Sequence, residues 1–174
     1  MKSEDILSKL KKSYSTLVKR NSKKPLRREK IDLRIDQEFD TEYEIAKVDN
    51  VGMVDPLALQ GVLILKTDEG NEFPIYAFSG EVARYISNFI NEKLDALPTI
   101  YNMFEQVCEE SELFLVKIKI YQSGDALRAN LYFSGKKDLV LRNFRASDAI
   151  ALATFYNAPI LIRKDLLKKE SVLQ

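Results

Sequence analysis

At 174 residues, with 45% hydrophobic and 30% charged residues and a net charge of +1, the chain has the composition of a single soluble domain able to bury a core without staples. It contains no histidine and one cysteine, Cys108. These absences exclude Ser/His/Asp and Cys/His nucleophilic machinery, a closed Cys/His zinc site and an internal disulfide, so that any metal has to be a hard ion such as Mg2+ or Mn2+ held by carboxylates and carbonyls.

In chain order, Ile6, Leu7, Leu10, Tyr14, Leu17 and Val18 recur at helical spacing and predict an amphipathic helix over about residues 3 to 19. Its apolar stripe needs a cover, and both the chain's own core and the same helix of another copy provide one; the expected partner is a second copy in a homo-oligomer. Lys19 to Lys30 follows with seven basic residues around Pro25 and no periodicity, as a linker does. Charge is uneven: residues 1 to 30 hold 11 basic against 3 acidic residues, and residues 31 to 44 hold 1 against 6. No apolar run approaches membrane-spanning length, and MKSEDILSKLKK lacks the apolar core of a secretion signal, so the expected location is the cytoplasm and no membrane partner is expected.

Strand patterns dominate next. Tyr43 to Met53 and Gly61 to Lys66 read as strands joined through Asp55 and Pro56, and Asp68 to Asn71 turns the chain into Phe73 to Ala77. Pro74 cannot donate to a ladder, which predicts an edge position or a strand end. Gly80 to Glu92 reads as a helix with Val82, Ala83, Ile86, Phe89 and Ile90 on one side. A second helix follows Pro98, with Ile100, Met103, Phe104 and Val107 expected to point inward. Leu113 to Tyr121, Ala126 to Phe133 and Leu139 to Phe144 read as strands linked by Ser123–Asp125 and Ser134–Lys137. Cys108 sits among apolar and acidic helical residues and reads as a small core filler.

The segment RASDAIALATFYNAPILI, Arg145 to Ile162, reads as one unit. Ser147 is expected to cap a helix, Asp148 to meet the positive end of its dipole, and Ala149 to Tyr156 to form its turns. That helix is apolar nearly all round and should be buried. Asn157 suits a left-handed end, Pro159 prevents continuation, and Ile160 to Ile162 restart the chain as a buried strand. The predicted architecture is α+β, with a mixed, mainly antiparallel sheet in the order β-β-β-α-α-β-β-β-α-β plus the N-terminal amphipathic helix. At an offset of 66 residues Phe78, Ala83, Ile86 and Phe89 align with Phe144, Ala149, Leu152 and Phe155, a weak echo of a hairpin followed by a helix.

Arg145 to Ile162 resembles the R-P-S-D-A-I-x-L-A…G-A-P-I pattern of the bifunctional nuclease domain family, with Ala146 in place of Pro and Asn157 in place of Gly. FPIYAFSGEVARYI, Phe73 to Ile86, is similar to that family's L-P-I-W-I-G…E-A segment. The resemblance divides the chain into an N-terminal helix and charged linker (1–41), a family-like domain (42–167) and a tail (168–174). One departure concerns the start of the second helix. Where the family commonly carries R-P-x-T-H-D, Ile100, Tyr101 and Asn102 occupy the T-H-D positions.

The resemblance implies hydrolysis of phosphodiester bonds in RNA or DNA with low sequence specificity. Among the residues, Arg145, Ser147 and the free N–H groups of the helix start are the expected phosphate seat, with Arg142, Lys136 and Lys137 adding positive charge. Asp148 or Glu81 is expected to hold a divalent ion, Mg2+ or Mn2+, or to deprotonate water. The same residues also fit a structural reading, with Asp148 as dipole partner and Arg145 as its salt-bridge mate. Two further classes stay open: a non-catalytic nucleic-acid-binding module using the basic linker, and a structural or regulatory homo-oligomer.

Overall fold

The computed structural model describes residues 37–93 and 98–170. A 3-10 helix (Gln37–Glu42) leads into β1 (Tyr43–Met53), β2 (Gln60–Thr67), β3 (Glu72–Ser79), α1 (Gly80–Ile90) and α2 (Ile100–Glu110). Then come β4 (Phe114–Ser123), β5 (Ala126–Ser134), β6 (Leu139–Arg145), α3 (Ala146–Tyr156), β7 (Ile160–Arg163) and α4 (Lys164–Glu170). The predicted α+β order is present, followed by α4, a helix that the sequence reading did not include; Leu166 and Leu167 turn it onto the core. The helix expected over residues 3 to 19 lies outside the described residues.

All seven strands form one sheet in the order β3-β2-β1-β7-β4-β5-β6. Each neighbouring pair is antiparallel except β4 with β7, which is parallel. The sheet is thus two three-stranded meanders joined through the short β7, whose Ile160, Leu161 and Ile162 are all buried. Pro74 lies on the edge strand β3, where a missing N–H breaks no outer ladder. One bulge sets the faces of β4. Leu115 pairs with Phe133, but Lys117 pairs with Tyr132, so one extra residue intervenes and Leu115, Ile118 and Ile120 all join the core beneath the helices.

The offset of 66 residues is realised in space. α1 and α3 are both 11 residues long and begin 66 positions apart, each after the third strand of a meander. They pack against each other on the sheet, and the aligned rings of Phe89 and Phe155 meet with centroids 5.3 Å apart. Strand directions place the two helix starts far apart, however. β3 runs with β1, β6 runs with β4, and β1 and β4 run oppositely, so α1 and α3 begin at diagonal corners of the sheet. Six strand spacings of about 4.8 Å separate the edges by roughly 29 Å.

α3 is buried around almost its whole circumference, from Ala146 through Ala153, as its composition predicts. Its end also follows the prediction: Asn157 takes the left-handed conformation, and the Ala158 N–H returns to the Ala153 carbonyl at 2.9 Å. Its start differs. The helix begins at Ala146 with Arg145 as N-cap residue, and Ser147 is buried one residue inside it without acting as a cap.

The inward face of α2 also differs from expectation. Ile100, Met103 and Val107 are 61%, 57% and 57% exposed, whereas Tyr101, Phe104 and Cys108 face the core. Both stripes have the same i, i+3, i+7 spacing one residue apart, so periodicity alone does not choose between them. The aromatic stripe wins because Phe104 packs edge-on to Phe133 at 5.9 Å and Tyr101 lies against Tyr85 at 4.6 Å. Cys108 is a buried free thiol, as expected, and burial pushes its pKa up. No helix among the described residues is long and apolar enough to cross a membrane.

α1 starts in a tight place. The Gly80 N–H donates to the Leu59 carbonyl at 2.9 Å, and a Cβ on Gly80 would stand 2.0 Å from the Ala58 carbonyl oxygen. Gly80→Ala should therefore cost about 1–3 kcal/mol by forcing the backbone apart. In Gly52→Ala the new Cβ would meet only Val62 Cγ1 at 3.9 Å, and the change should stay within about 0.5 kcal/mol. Thermal denaturation of both variants checks the contrast; an equal loss in the two would contradict the contact.

Candidate functional site

At the corner where β6 enters α3, three side chains form a continuous hydrogen-bonded unit. Arg145 is the last residue of the strand and the N-cap residue of the helix, so its side chain stands beside the first turn. Asp148 belongs to that first turn, where a carboxylate is favoured by the helix dipole. Arg145 Nε donates to Asp148 Oδ2 at 2.6 Å, and the Tyr101 hydroxyl donates to Asp148 Oδ1 at 2.8 Å. The guanidinium is 68% exposed and the carboxylate 26%. With Nε engaged, the Nη groups of Arg145 carry no partner among the described residues and face water.

The electrostatics agree with this geometry. Burial raises the pKa of the Tyr101 phenol above its ordinary range, and the Asp148 carboxylate beside it raises it further. The hydrogen bond and charge of Asp148 likewise raise the pKa of Arg145. The unit thus holds a neutral phenol and an ionised guanidinium on the two oxygens of one carboxylate at neutral pH.

Tyr101 reaches Asp148 because α2 is held by its own first turn. The Thr99 N–H donates to Asn102 Oδ1 at 2.8 Å and the Tyr101 N–H donates to Thr99 Oγ1 at 3.3 Å, a capping box that fixes the start of the helix. Asn102 and Tyr101 are two of the residues at which the sequence departs from the T-H-D pattern. Asn102 serves as a cap, and Tyr101 contacts Asp148. Sequence reasoning missed Tyr101 as a member of the site; its signal was its place beside a proline-initiated helix.

The other expected residues do not converge here. Ser147 is buried beneath the corner, so its hydroxyl is not offered to a ligand at the surface, and the first turn of α3 is open only through Arg145 and the partly exposed Asp148. Arg142 is exposed midway along the edge strand β6. Lys136 and Lys137 lie in the β5–β6 turn at the far end of that strand, where Lys136 pairs with Glu112 at 3.1 Å. Glu81 stands in the first turn of α1 at the diagonal corner. Arg128, directly opposite Arg145 in the β5–β6 register, adds a cation that the sequence did not single out. Among the described residues no group of three or more Asp, Glu, Cys or His side chains is placed to hold a metal ion. A Mg2+ or Mn2+ at Asp148 would depend on water and phosphate oxygens for most of its ligands.

The family model described as the bifunctional nuclease domain matches residues 63–174, more than half of the chain. The match begins inside β2, while the sheet itself begins at Tyr43 in β1. No curated protein matches the sequence.

Tyr101→Phe should cost about 1 kcal/mol, because Asp148 Oδ1 loses its donor without a change in shape. The folded phenol has a pKa above its unfolded value of about 10, so its contribution is complete below pH 10 and is lost as pH rises through the folded value. Chemical denaturation between pH 7 and 11 should show a steeper alkaline loss for the wild type than for Tyr101→Phe. Parallel curves would contradict the placement.

Proposed function

The chain belongs to the bifunctional nuclease domain family, and from that premise we propose that it hydrolyses phosphodiester bonds in RNA or DNA with low sequence specificity. The reading rests on one observation: an exposed guanidinium fastened through Nε to a carboxylate at the start of a buried helix, with its Nη donors turned to water. In this account Arg145 takes a non-bridging phosphate oxygen through those donors. Asp148 accepts the proton of an attacking water as its oxygen bonds to phosphorus, the P–O bond to the leaving strand breaks, the departing oxygen takes a proton from solvent, and Tyr101 holds Asp148 in place. Recognition confined to phosphate carries no base information, which accounts for low specificity.

The competing reading is a binding module without hydrolysis. It draws on Asp148 already accepting a hydrogen bond on each oxygen, as a structural carboxylate does, and on the phenol of Tyr101 at the imidazole position of similar sequences. A homo-oligomer is compatible with either reading, and the exposed stripe Ile100, Met103 and Val107 is the surface we assign to such a contact.

The test is incubation of single-stranded DNA, duplex DNA and RNA with the protein in Mg2+, Mn2+ or chelator, alongside Asp148→Asn and Arg145→Ala. Cleavage should fall about 100- to 10,000-fold in Asp148→Asn and about 100- to 1,000-fold in Arg145→Ala. Equal cleavage by all three proteins would remove this corner from the chemistry. Salt-dependent binding without cleavage would favour the module.

A further inference from the structure

The sheet face away from the helices carries two buried lysines. Lys117 and Lys119 are two apart on β4, opposite Tyr132 and Asn130 of β5, and their side chains are only 6% and 3% exposed. Their ammonium groups converge on one carboxylate: Lys117 Nζ is 2.8 Å from Asp40 Oδ2, and Lys119 Nζ is 2.6 Å from Asp40 Oδ1. Both also stand over the Tyr132 ring, at 5.3 and 5.4 Å, and Lys119 stands over Tyr43 at 5.1 Å. Asp40 belongs to the six-residue 3-10 helix and is 34% exposed. Burial raises its carboxyl pKa, but the two lysines outweigh that effect and hold it below the usual carboxylate range.

As a device for stability this arrangement gains little, because a buried ion pair contributes no more than well-packed apolar side chains of similar size. The bulge of β4 keeps Leu115, Ile118 and Ile120 in the core and turns the two lysines to the opposite face. A carboxylate gripped with one cation on each oxygen also has the shape in which a phosphate presents two of its oxygens. We propose that Lys117 and Lys119, walled by Tyr43 and Tyr132, form a phosphate-binding site that Asp40 occupies as an internal stand-in, and that phosphate binds when the Gln37–Glu42 segment lifts away. The inference is independent of phosphodiester cleavage at Arg145 and Asp148, since it requires only a phosphate group. That group belongs either to a free polyphosphate or to a nucleic acid strand, and the probes separate the two.

Calorimetric titration of the full chain with inorganic pyrophosphate and with a short single-stranded RNA provides the test. An internal competitor reduces affinity by the fraction of time it leaves the site open, which for a minor state of about 10% or less means tenfold or more. Asp40→Asn should therefore bind pyrophosphate at least about tenfold more tightly than the wild type, and Asp40→Asn with Lys117→Gln should lose that gain. Equal gains for RNA would assign the site to a strand, and a gain for pyrophosphate alone to a free ligand. A folded Asp40→Asn that binds neither probe more tightly would overturn the proposal. If Asp40→Asn does not fold, NMR of the wild-type lysine Nζ groups decides: saturating pyrophosphate should shift Lys117 and Lys119, and unmoved signals overturn the proposal equally.

Discussion

Burial of α3 from Ala146 to Ala153, Asp148 apart, fixes where its first turn stands, and the candidate site follows from that position. Alanines at 146, 149, 151 and 153 let the sheet and α1 approach closely, while Ile150 and Leu152 contribute about 1.5–3 kcal/mol each by leaving water. A helix packed around all but its Asp148 edge is held in one rotation, so Asp148 is presented at one angle at the β6 corner. Arg145 reaches it from the strand and Tyr101 from α2. The two donors and their common acceptor are thus carried by elements already fixed by the core, as a binding or catalytic unit requires.

The two meanders give this fold an internal symmetry that serves packing more than chemistry. α1 and α3 meet through Phe89 and Phe155, and β7 joins the halves, but the helix starts point to opposite corners. The corner of α1 holds Glu81 and Gly80 against the β1–β2 connection, while the corner of α3 holds Arg145, Asp148 and Tyr101. Related backbones have therefore acquired different side-chain surroundings, and α2 supplies the difference by placing Tyr101 at one corner.

Much of this architecture was legible in the sequence because its elements are punctuated locally. Asn157 and Pro159 ended α3 as their backbone preferences require, Pro74 marked an edge strand, and the alanine-rich composition of α3 announced its burial. What was not legible depends on contacts between distant elements. The choice between the two apolar stripes of α2 was decided by Phe133 and Tyr85, and the N-cap moved from Ser147 to Arg145 because β6 runs directly into the helix. Candidate residues adjacent in sequence also separated: Lys136 and Lys137 lie a whole strand away from Arg145, and the buried pair Lys117 and Lys119 reads as ordinary strand alternation until the bulge and Asp40 are seen.

The Arg145–Asp148 pair at the exposed corner and the Lys117–Lys119–Asp40 cluster beneath the opposite face of the sheet differ in access. At the corner the guanidinium is open to solvent, which is why it carries the functional reading. The most direct measurement is heteronuclear NMR of the Arg145 side chain during titration with a short single-stranded oligonucleotide. The account predicts a saturable shift of the Arg145 Nε–H together with the amides of the first turn of α3. Binding elsewhere on the protein with those signals unmoved would contradict it.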